Sequence, residues 1–226
     1  MKKVVVLAAM AAVFASLSFA EMSMELGVKG GILLNAGTKL DYSGADSKMT
    51  VGGDVGIFGH FGVADIGPGT LSLQPELFFS LANGTKWKAS EGEYEAEVKY
   101  KYNSFDIALL IGYDIPVGKL SIRPFLGPKL GIPLGKIKED YKSKGYGESY
   151  SGSSEADIAA ATFGMDFGCG IVVPLGKFVL GGDIRYGIDF NKLKIKTKDK
   201  NDKDKNVDIL RRGALGINIT AAYKFK

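Results

Sequence analysis

The feature that most constrains this chain is an alternation of apolar positions with polar or glycine positions, which recurs eight times after residue 21. Side chains two apart on a strand share a face, so a repeat of two predicts strands with two different environments. The alternating segments are residues 22–35, 49–63, 71–81, 104–115, 120–132, 161–173, 178–190 and 214–225. An even number of strands is typical of closed antiparallel membrane barrels.

The polar face of these segments is rich in glycine, which decides between a soluble and a membrane barrel. Fourteen of the 31 glycines occupy it, among them Gly27, Gly56, Gly168 and Gly187. A water-facing sheet surface gives no reason for glycine, which has low strand propensity. The narrow interior of an eight-stranded barrel does, because small residues make room for a few large ones. The pattern therefore favours lipid contact on the aliphatic face over a lipocalin-like soluble barrel.

The connections alternate between short and long. Residues 64–69, 116–119 and 174–177 are short and contain Gly and Pro, whereas residues 36–48, 83–97, 138–156 and 192–206 are long and polar. Outer-membrane barrels have short periplasmic turns and long external loops. The sequence thus predicts an all-β, eight-stranded antiparallel up-and-down transmembrane β-barrel with four surface loops and both termini periplasmic. Outward aromatics near the short turns would form an interfacial girdle: Phe61, Tyr113, Phe178, Tyr223 and Phe225.

The N-terminus predicts export. Lys2 and Lys3 precede an apolar run over residues 4–17, and Ser18-Phe19-Ala20 resembles a signal-peptidase site. We expect a signal peptide at residues 1–20 and one barrel domain at residues 21–226. No later run approaches the roughly 20 apolar residues of a membrane helix, so a membrane-embedded chain must pair its backbone groups in a closed barrel. The only cysteine, Cys169, is far from the cleavage site, so we expect no lipid anchor.

Charged residues on the glycine-rich face predict a network inside the barrel. Buried charges are costly unless they are paired or hydrated. The network could be an ion-pair plug that fixes the packing, or it could line a narrow, gated ion path, and the sequence leaves both open. Its predicted members are Glu25, Lys29, Asp54, Glu76, Asp106, Arg123, Lys129, Asp166, Asp183 and Arg185.

The sequence offers little for catalysis or metal binding. The only histidine, His60, faces inward and could pair with Asp114, and no serine accompanies it in a hydrolase motif. His and Cys clusters for a metal are missing. Residues 199–205 have EF-hand-like spacing but lack the central Gly and terminal Glu. We therefore expect no enzyme activity, no catalytic or metal site and no cofactor.

The partners follow from location and charge. Without Lys2 and Lys3, 27 of the 29 basic residues remain against 25 acidic ones, which argues against nucleic acid for an exported chain. We expect outer-membrane lipid as the surroundings and the barrel-assembly machinery as a partner during insertion. A basic loop could attract anionic headgroups or surface ligands, or could be solvated charge alone. Its lysines are Lys192, Lys194, Lys196, Lys198, Lys200, Lys203 and Lys205.

Several motifs resemble the PorT-like outer-membrane β-barrel family. They are LSLQPELFFS at residues 71–80, SFDIALLIGYDIP at 104–116, IRPFLGPKLGIPL at 122–134, DFGCGIVVPLGKFVLGGDIRYGI at 166–188 and ITAAYKF at 219–225. The resemblance implies an outer-membrane barrel of a family in which some members assist secretion or gliding machinery. We expect a structural or interaction role, adhesin-like or secretion-associated. A narrow channel or small-molecule transporter is the alternative, because fold alone does not set function.

Overall fold

The computed structural model describes residues 23–37, 45–198 and 204–225, which form twelve β-strands. The predicted signal peptide lies outside the described residues. Within them, no helix is long and apolar enough to cross a membrane. The strands are β1 (Met24–Gly37), β2 (Ala45–Lys48), β3 (Thr50–Ile66), β4 (Gly69–Glu91), β5 (Tyr94–Val117), β6 (Leu120–Gly145), β7 (Glu148–Asp157), β8 (Thr162–Leu175), β9 (Phe178–Asp189), β10 (Leu193–Lys198), β11 (Asp204–Leu210) and β12 (Arg212–Lys224).

Eight of these strands close into a ring in the order β1, β3, β4, β5, β6, β8, β9 and β12. All neighbours are antiparallel, and β12 pairs with β1 from Glu25↔Lys224 to Gly37↔Arg212. Closure leaves the ring without a free edge, so backbone groups pair between strands all the way round, as a bilayer demands. The predicted eight-stranded up-and-down barrel is confirmed.

Three two-residue turns lie at one end of the ring. They join β3 to β4, β5 to β6 and β8 to β9, and each begins with a glycine of positive φ: Gly67 at 60°, Gly118 at 63° and Gly176 at 67°. Non-glycine residues rarely adopt this conformation, so glycine here sets the tight turn. The strand β1 begins and the strand β12 ends on this same side, where the Phe225 amide donates to the Met24 carbonyl over 2.9 Å.

The outer face of the ring is an aliphatic band bordered by aromatic side chains. At the short-turn side, Tyr223 packs against Phe178 and Phe225 with ring centroids 5.8 and 5.0 Å apart. Phe163 and Phe190 pair at the other border, 5.7 Å apart. Twelve residue steps separate Phe178 from Phe190, which is ~30 Å of bilayer for a strand tilted by ~40°.

Two members of the predicted girdle are less exposed than expected. Tyr113 is half-buried, and its hydroxyl donates to the Ile66 carbonyl. Phe61 is covered, because its ring lies over Gly59, where a Cβ atom would be 2.8 Å away. Cys169 is exposed on the lipid face, as its strand parity predicts.

Opposite the short turns, the chain continues as β-structure where the sequence suggested polar loops. The strands β4 and β5 remain paired up to Glu91↔Tyr94, and β6 pairs with β7 up to Gly145↔Glu148. A separate hairpin joins β10 to β11, and β2 pairs along the upper part of β4. The sequence predicts only long polar connections here and leaves their conformation open, because these strands carry Lys, Glu and Ser outward, which hides the alternation of their inward face.

The inward faces of these hairpins share an apolar core, which we call the cap cluster. It consists of Trp87, Tyr102, Ile137, Leu193 and Ile209, all buried. The Trp87 and Tyr100 rings meet edge to face at 5.3 Å, and a backbone bridge between Ile158 and Ile195 ties the β10–β11 hairpin to the rest. The hairpins therefore form a packed cap above the membrane-spanning ring.

The seam between β5 and β6 is interrupted at two places. Its register would set Pro128 opposite Leu109 and Pro124 opposite Tyr113, and the pairing skips both positions, although β6 remains paired with β8 throughout. Proline has no N–H to donate to a sheet ladder. The two prolines therefore leave positions without a donor facing β5, and the pairing is interrupted there, as the β3–β4 pairing also is opposite Pro75.

The glycine-rich face is the crowded interior. A Cβ atom on Gly56 would lie 2.3 Å from the Leu77 carbonyl oxygen and 2.4 Å from the Phe78 Cβ atom. On the outer face, a Cβ atom on Gly30 would come no closer than 3.4 Å to its nearest neighbour, the Asp54 carbonyl oxygen. Interior glycines therefore give large inward side chains their space, as the sequence pattern suggested.

Candidate functional site in the barrel interior

The structure brings all ten predicted network residues into the barrel interior, where their exposed fractions range from 0 to 9%. The alternation of side chains along a strand explains this placement. Each network residue lies an even number of residues from another inward-facing residue of the same strand. They form three connected groups at successive heights along the barrel: a central, an upper and a lower group. Asp54 borders the central group and interacts electrostatically with Lys29 and Arg185.

Glu76 on β4 is the centre of the network. Arg185 on β9 binds its carboxylate with both terminal nitrogens, Nη1 to Oε2 at 2.6 Å and Nη2 to Oε1 at 3.0 Å. Lys29 Nζ lies 3.0 Å from Oε2, and Gln74 Nε2 donates to Oε1 over 2.7 Å. Two-point Arg–carboxylate pairing is both strong and geometrically specific. Each oxygen of this buried carboxylate thus has two donors.

Arg185 links the centre to its surroundings. Its Nε atom donates to Asp183 Oδ1 over 2.9 Å, and Asn218 Nδ2 donates to the same oxygen over 2.9 Å. The guanidinium carbon lies 5.1 Å from the Phe125 ring centroid, and Lys29 Nζ lies 4.8 Å from that of Phe78. Cation–π contacts of this kind stabilise desolvated cations.

The upper group lies below the cap cluster. Lys129 Nζ is 3.1 Å from Asp166 and 3.6 Å from Asp189, and Arg212 contacts Asp189 at 3.6 Å and Asp106 at 3.9 Å. Ser80 and Ser104 both donate to Asp106, over 2.6 and 3.1 Å. The upper group joins the centre through Arg185 and Asp166, 3.6 Å apart.

The lower group lies near the short turns and contains His60. Its Nε2 atom is 2.9 Å from Asp114 Oδ2, and its Nδ1 atom is 3.6 Å from Glu25 Oε2. Arg123 bonds the same Asp114 and lies 3.7 Å from Glu25. Gln74 accepts from Arg123 over 3.4 Å and so connects this group to Glu76. The three groups form one chain of polar contacts along the barrel.

Sequence reasoning missed two members of this chain. Arg212 lies two residues before Ala214, which is an inward position of the last alternating segment. The same parity would therefore have predicted that Arg212 faces inward. Asp189 was an inward position of the seventh segment and was not counted with the charges. The pairings themselves could not be predicted, because they depend on how far neighbouring strands are offset around the ring.

The interior is acidic and almost filled. Five buried cationic side chains face eight carboxylates, namely Glu25, Asp54, Glu76, Asp106, Asp114, Asp166, Asp183 and Asp189. Two small cavities that border this network measure about 30 and 20 Å³. Each holds about one water molecule. A larger cavity of about 150 Å³ opens at the short-turn end beside His60, Asp114 and Arg123.

The predicted basic loop is in part the β10–β11 hairpin. Lys192, Lys194 and Lys196 are exposed, and Lys194 contacts Asp208 at 3.7 Å. The backbones of Lys198 and Lys205 are paired with Asp204 and Thr197. Lys200, Lys203 and most of the EF-hand-like stretch lie outside the described residues. Among the described residues, no group of three His, Cys, Asp or Glu side chains is arranged to hold a metal.

Several solved structures are similar to this chain at low identity. A major outer membrane protein from Thermus thermophilus is 12% identical, with a TM-score of 0.49, over 91% of this chain and 100% of that one. OprG from Pseudomonas aeruginosa is 13% identical, with a TM-score of 0.42, over 89% and 95%. Ail from Yersinia pestis is 14% identical, with a TM-score of 0.35, over 89% and 98%. At these identities the similarity says nothing about activity or ligands.

A family-level comparison covers nearly the whole sequence. No curated protein matches the chain. The family described as "Outer membrane protein beta-barrel domain" matches residues 4–225. The narrower PorT-like resemblance stays a prediction. With a closed ring of eight strands, an aliphatic outer band and a match over this length, the chain belongs to the outer membrane protein β-barrel domain family.

Proposed function

We propose that this protein is a sealed barrel that presents its extramembrane β-hairpins at the cell surface for interaction, in an adhesin-like or secretion-associated role. In this proposal the barrel neither conducts nor catalyses. The supporting observation is the continuous polar network around Glu76 and Arg185, which fills the ring where a channel would need open space.

The cap cluster supports the same role from the outer side. Buried apolar side chains from β4, β5, β6, β10 and β11 meet above the ring, so the hairpins have a fixed shape. A packed core keeps extramembrane strands from fluctuating, which suits presentation of a defined surface to a partner. The tip of the β6–β7 hairpin is prominent, since Tyr146 is 89% exposed.

His60 fits an ion-pair role better than a catalytic one. Both of its ring nitrogens face carboxylates, and Arg123 holds the same two carboxylates from the other side. A general base needs a ring nitrogen directed at the proton that it removes. His60 therefore belongs to the plug in this proposal, and the protein is not an enzyme.

The orientation is part of the proposal. The short turns, the start of β1 and the end of β12 lie on one side, which matches the periplasmic side of bacterial outer-membrane barrels. The hairpins then face the cell exterior, and insertion would require the barrel-assembly machinery. We also propose that residues 1–20 are a signal peptide and residues 21–226 the barrel domain, because a barrel in the outer membrane must first be exported.

Planar-bilayer recording tests whether the barrel is sealed. The wild-type protein is expected to insert without steady conductance. An Arg185→Ala/Glu76→Ala variant, which removes the central ion pair, serves as a positive control for insertion. Because acidic residues outnumber basic ones inside, any current through that variant should be carried by cations. Steady single-channel conductance of the wild type would contradict the sealed barrel and favour the transporter alternative.

Single neutralisations separate a plug from a path. Arg123→Gln and Glu76→Gln should lower the stability of the folded barrel and leave it electrically silent. Changed conductance with unchanged stability would instead mean that these charges line a route for ions.

A further inference from the structure

The outward face of the upper β4–β6 sheet carries lysines set directly against lysines. Lys86 on β4 is the cross-strand partner of Lys99 on β5, and Lys101 on β5 is the partner of Lys138 on β6. Lys99 and Lys101 are also two residues apart on one strand and share its face. We call these four residues the lysine ladder. Like charges directly opposite in a sheet are destabilising, so folding alone gives no reason for this arrangement.

The ladder is only partly neutralised by the protein. Glu97 contacts Lys86 at 2.8 Å, Asp140 contacts Lys101 at 3.8 Å, and Glu155 contacts Lys138 at 3.7 Å. Partial burial and the ammonium groups of Lys101 and Lys86 hold the pKa of Lys99 below its usual range. An open groove of about 500 Å³ is lined by three lysines and two carboxylates: Lys99, Lys101, Lys142, Glu97 and Asp140.

The cross-strand neighbours of the ladder carry both signs of charge. Lys48 on β2 is the partner of Lys86 and is exposed, so the row of lysines continues across a further strand. On β6, Asp140 is the partner of Lys99 and Lys142 is the partner of Glu97. Positive charge is therefore in excess across the sheet from β2 to β6.

The height of the ladder identifies what it faces. On β5 the outward residues above the lipid-facing Phe105 are Asn103, Lys101 and Lys99 in turn. Each two-residue step rises by ~5 Å along the membrane normal for a strand tilted by ~40°, so Lys101 lies ~10 Å above Phe105. Lysine side chains can bend toward an interface while their stems stay on apolar surface. Their ammonium groups thus reach the headgroup layer of the adjacent leaflet.

We infer that the lysine ladder binds the phosphorylated headgroup of a lipid in the outer leaflet. Two or more phosphates close together match ammonium groups spaced by neighbouring strands, and binding relieves the lysine–lysine repulsion. The inference rests on the proposed orientation, in which the hairpins face the cell exterior. The lipid would then remain bound to the barrel and stabilise the lower part of the upper β4–β6 sheet.

A titration of the purified full-length mature barrel in dodecyl maltoside tests this. The probes are micelles that contain bis-phosphorylated lipid A, micelles that contain phosphatidylcholine, and soluble inositol hexakisphosphate. The ladder variant is Lys99→Gln/Lys101→Gln/Lys138→Gln. The matched control, Lys192→Gln/Lys194→Gln/Lys196→Gln, removes the same charge from the β10–β11 hairpin. A third variant replaces the same three lysines, Lys99, Lys101 and Lys138, by arginine.

The wild type is expected to prefer the bis-phosphorylated lipid. The ladder variant should lose roughly 100-fold in affinity, at about one factor of five for each of its three lysines, while the control stays within about threefold. The arginine variant should retain binding. Without lipid, the ladder variant should unfold at higher urea concentration than the wild type because the repulsion is gone, a gain that loss of fold could not produce.

Three results would overturn the inference. They are wild-type affinity in the ladder variant, an equal loss in the control variant, and inositol hexakisphosphate binding as tightly as the lipid. The last would assign the ladder to a soluble polyanion. The titration does not depend on conductance, so its failure leaves the sealed barrel standing, and a conducting barrel would leave the titration result standing.

Discussion

At the scale of single residues, Glu76 shows how a membrane barrel can hold charge inside. Its carboxylate is almost fully buried, and Arg185, Lys29 and Gln74 together supply four donors to its two oxygens. A buried ion pair is weak evidence for net stability, yet breaking one is costly because a charge is left without compensation. The network therefore makes its members dependent on one another.

Glu76→Gln should destabilise the barrel by about 3–5 kcal/mol, since it leaves Arg185 and Lys29 without their shared carboxylate. Urea unfolding of the protein refolded into phosphatidylcholine vesicles measures the change. Glu97→Gln is the matched control, because its pair with Lys86 lies outside the membrane and is partly exposed. It should cost less than about 1 kcal/mol. Equal losses in the two variants would argue against an interlocked plug.

Gly56→Ala should cost about 1–3 kcal/mol, because the added methyl group meets the β4 backbone and the Phe78 Cβ atom, neither of which can easily move. Gly30→Ala, on the lipid face of β1, has room for its methyl group and should be neutral or gain up to about 1 kcal/mol. The same urea assay compares them. A neutral Gly56→Ala would mean that the interior is less crowded than the structure shows.

At the scale of elements, the membrane-spanning strands and the hairpins above them obey different rules. In the eight strands of the ring, lipid on one face and a narrow interior on the other impose a strict repeat of two. Above the bilayer, water replaces lipid, and the outward face becomes charged. The inward face then closes on the cap cluster rather than on the ion pairs.

Trp87, the only tryptophan, reports on the cap. Because Trp87 is buried among Tyr102, Ile137 and Leu193 above the membrane, its fluorescence should resist both acrylamide and brominated lipid chains. Ile137→Ala opens the cluster and should make acrylamide quenching markedly stronger. Ile184→Ala, on the lipid face, should leave quenching unchanged. Quenching of the wild type by brominated lipid would instead place Trp87 in the bilayer.

The spanning strands could be predicted from the sequence because each faces two contrasting environments over about twelve residues. The same parity located the ten interior charges, including residues as far apart as Glu76 and Arg185. The hairpins could not be predicted, because Trp87, Tyr102 and Ile137 are far apart in sequence and their outward neighbours are lysines. Backbone irregularities near Ala82 and Gly135 also shift the parity where the strands leave the membrane.

At the scale of the whole molecule, the layers follow one another along the barrel axis. His60 and its partners occupy the end with short turns, the Glu76 centre lies at mid-height, Arg212 and its partners lie above it, and the cap cluster closes the far end. Each layer receives side chains from several strands of the ring. The barrel is therefore held from inside as well as by its backbone ladder.

Cysteine labelling of intact cells tests the orientation. In a Cys169→Ala background, a Tyr146→Cys variant marks the β6–β7 tip and a Lys119→Cys variant marks the β5–β6 turn. A membrane-impermeant maleimide should label only the Tyr146→Cys variant on intact cells and both variants after lysis. Labelling of only the Lys119→Cys variant on intact cells would mean that the hairpins face the periplasm.

The interruptions opposite Pro124 and Pro128 have a mechanical consequence. Under tension, a closed ring opens first along a seam that lacks ladder bonds. The β5–β6 seam, whose strands are joined by the two-residue turn at Gly118, and the β3–β4 seam near Pro75 are of this kind. Pulling the barrel apart should therefore open one of these two seams before the others, although β5 and β6 are the longest strands of the ring. Their length lets β5 and β6 extend into the cap, and the prolines determine where the ring opens.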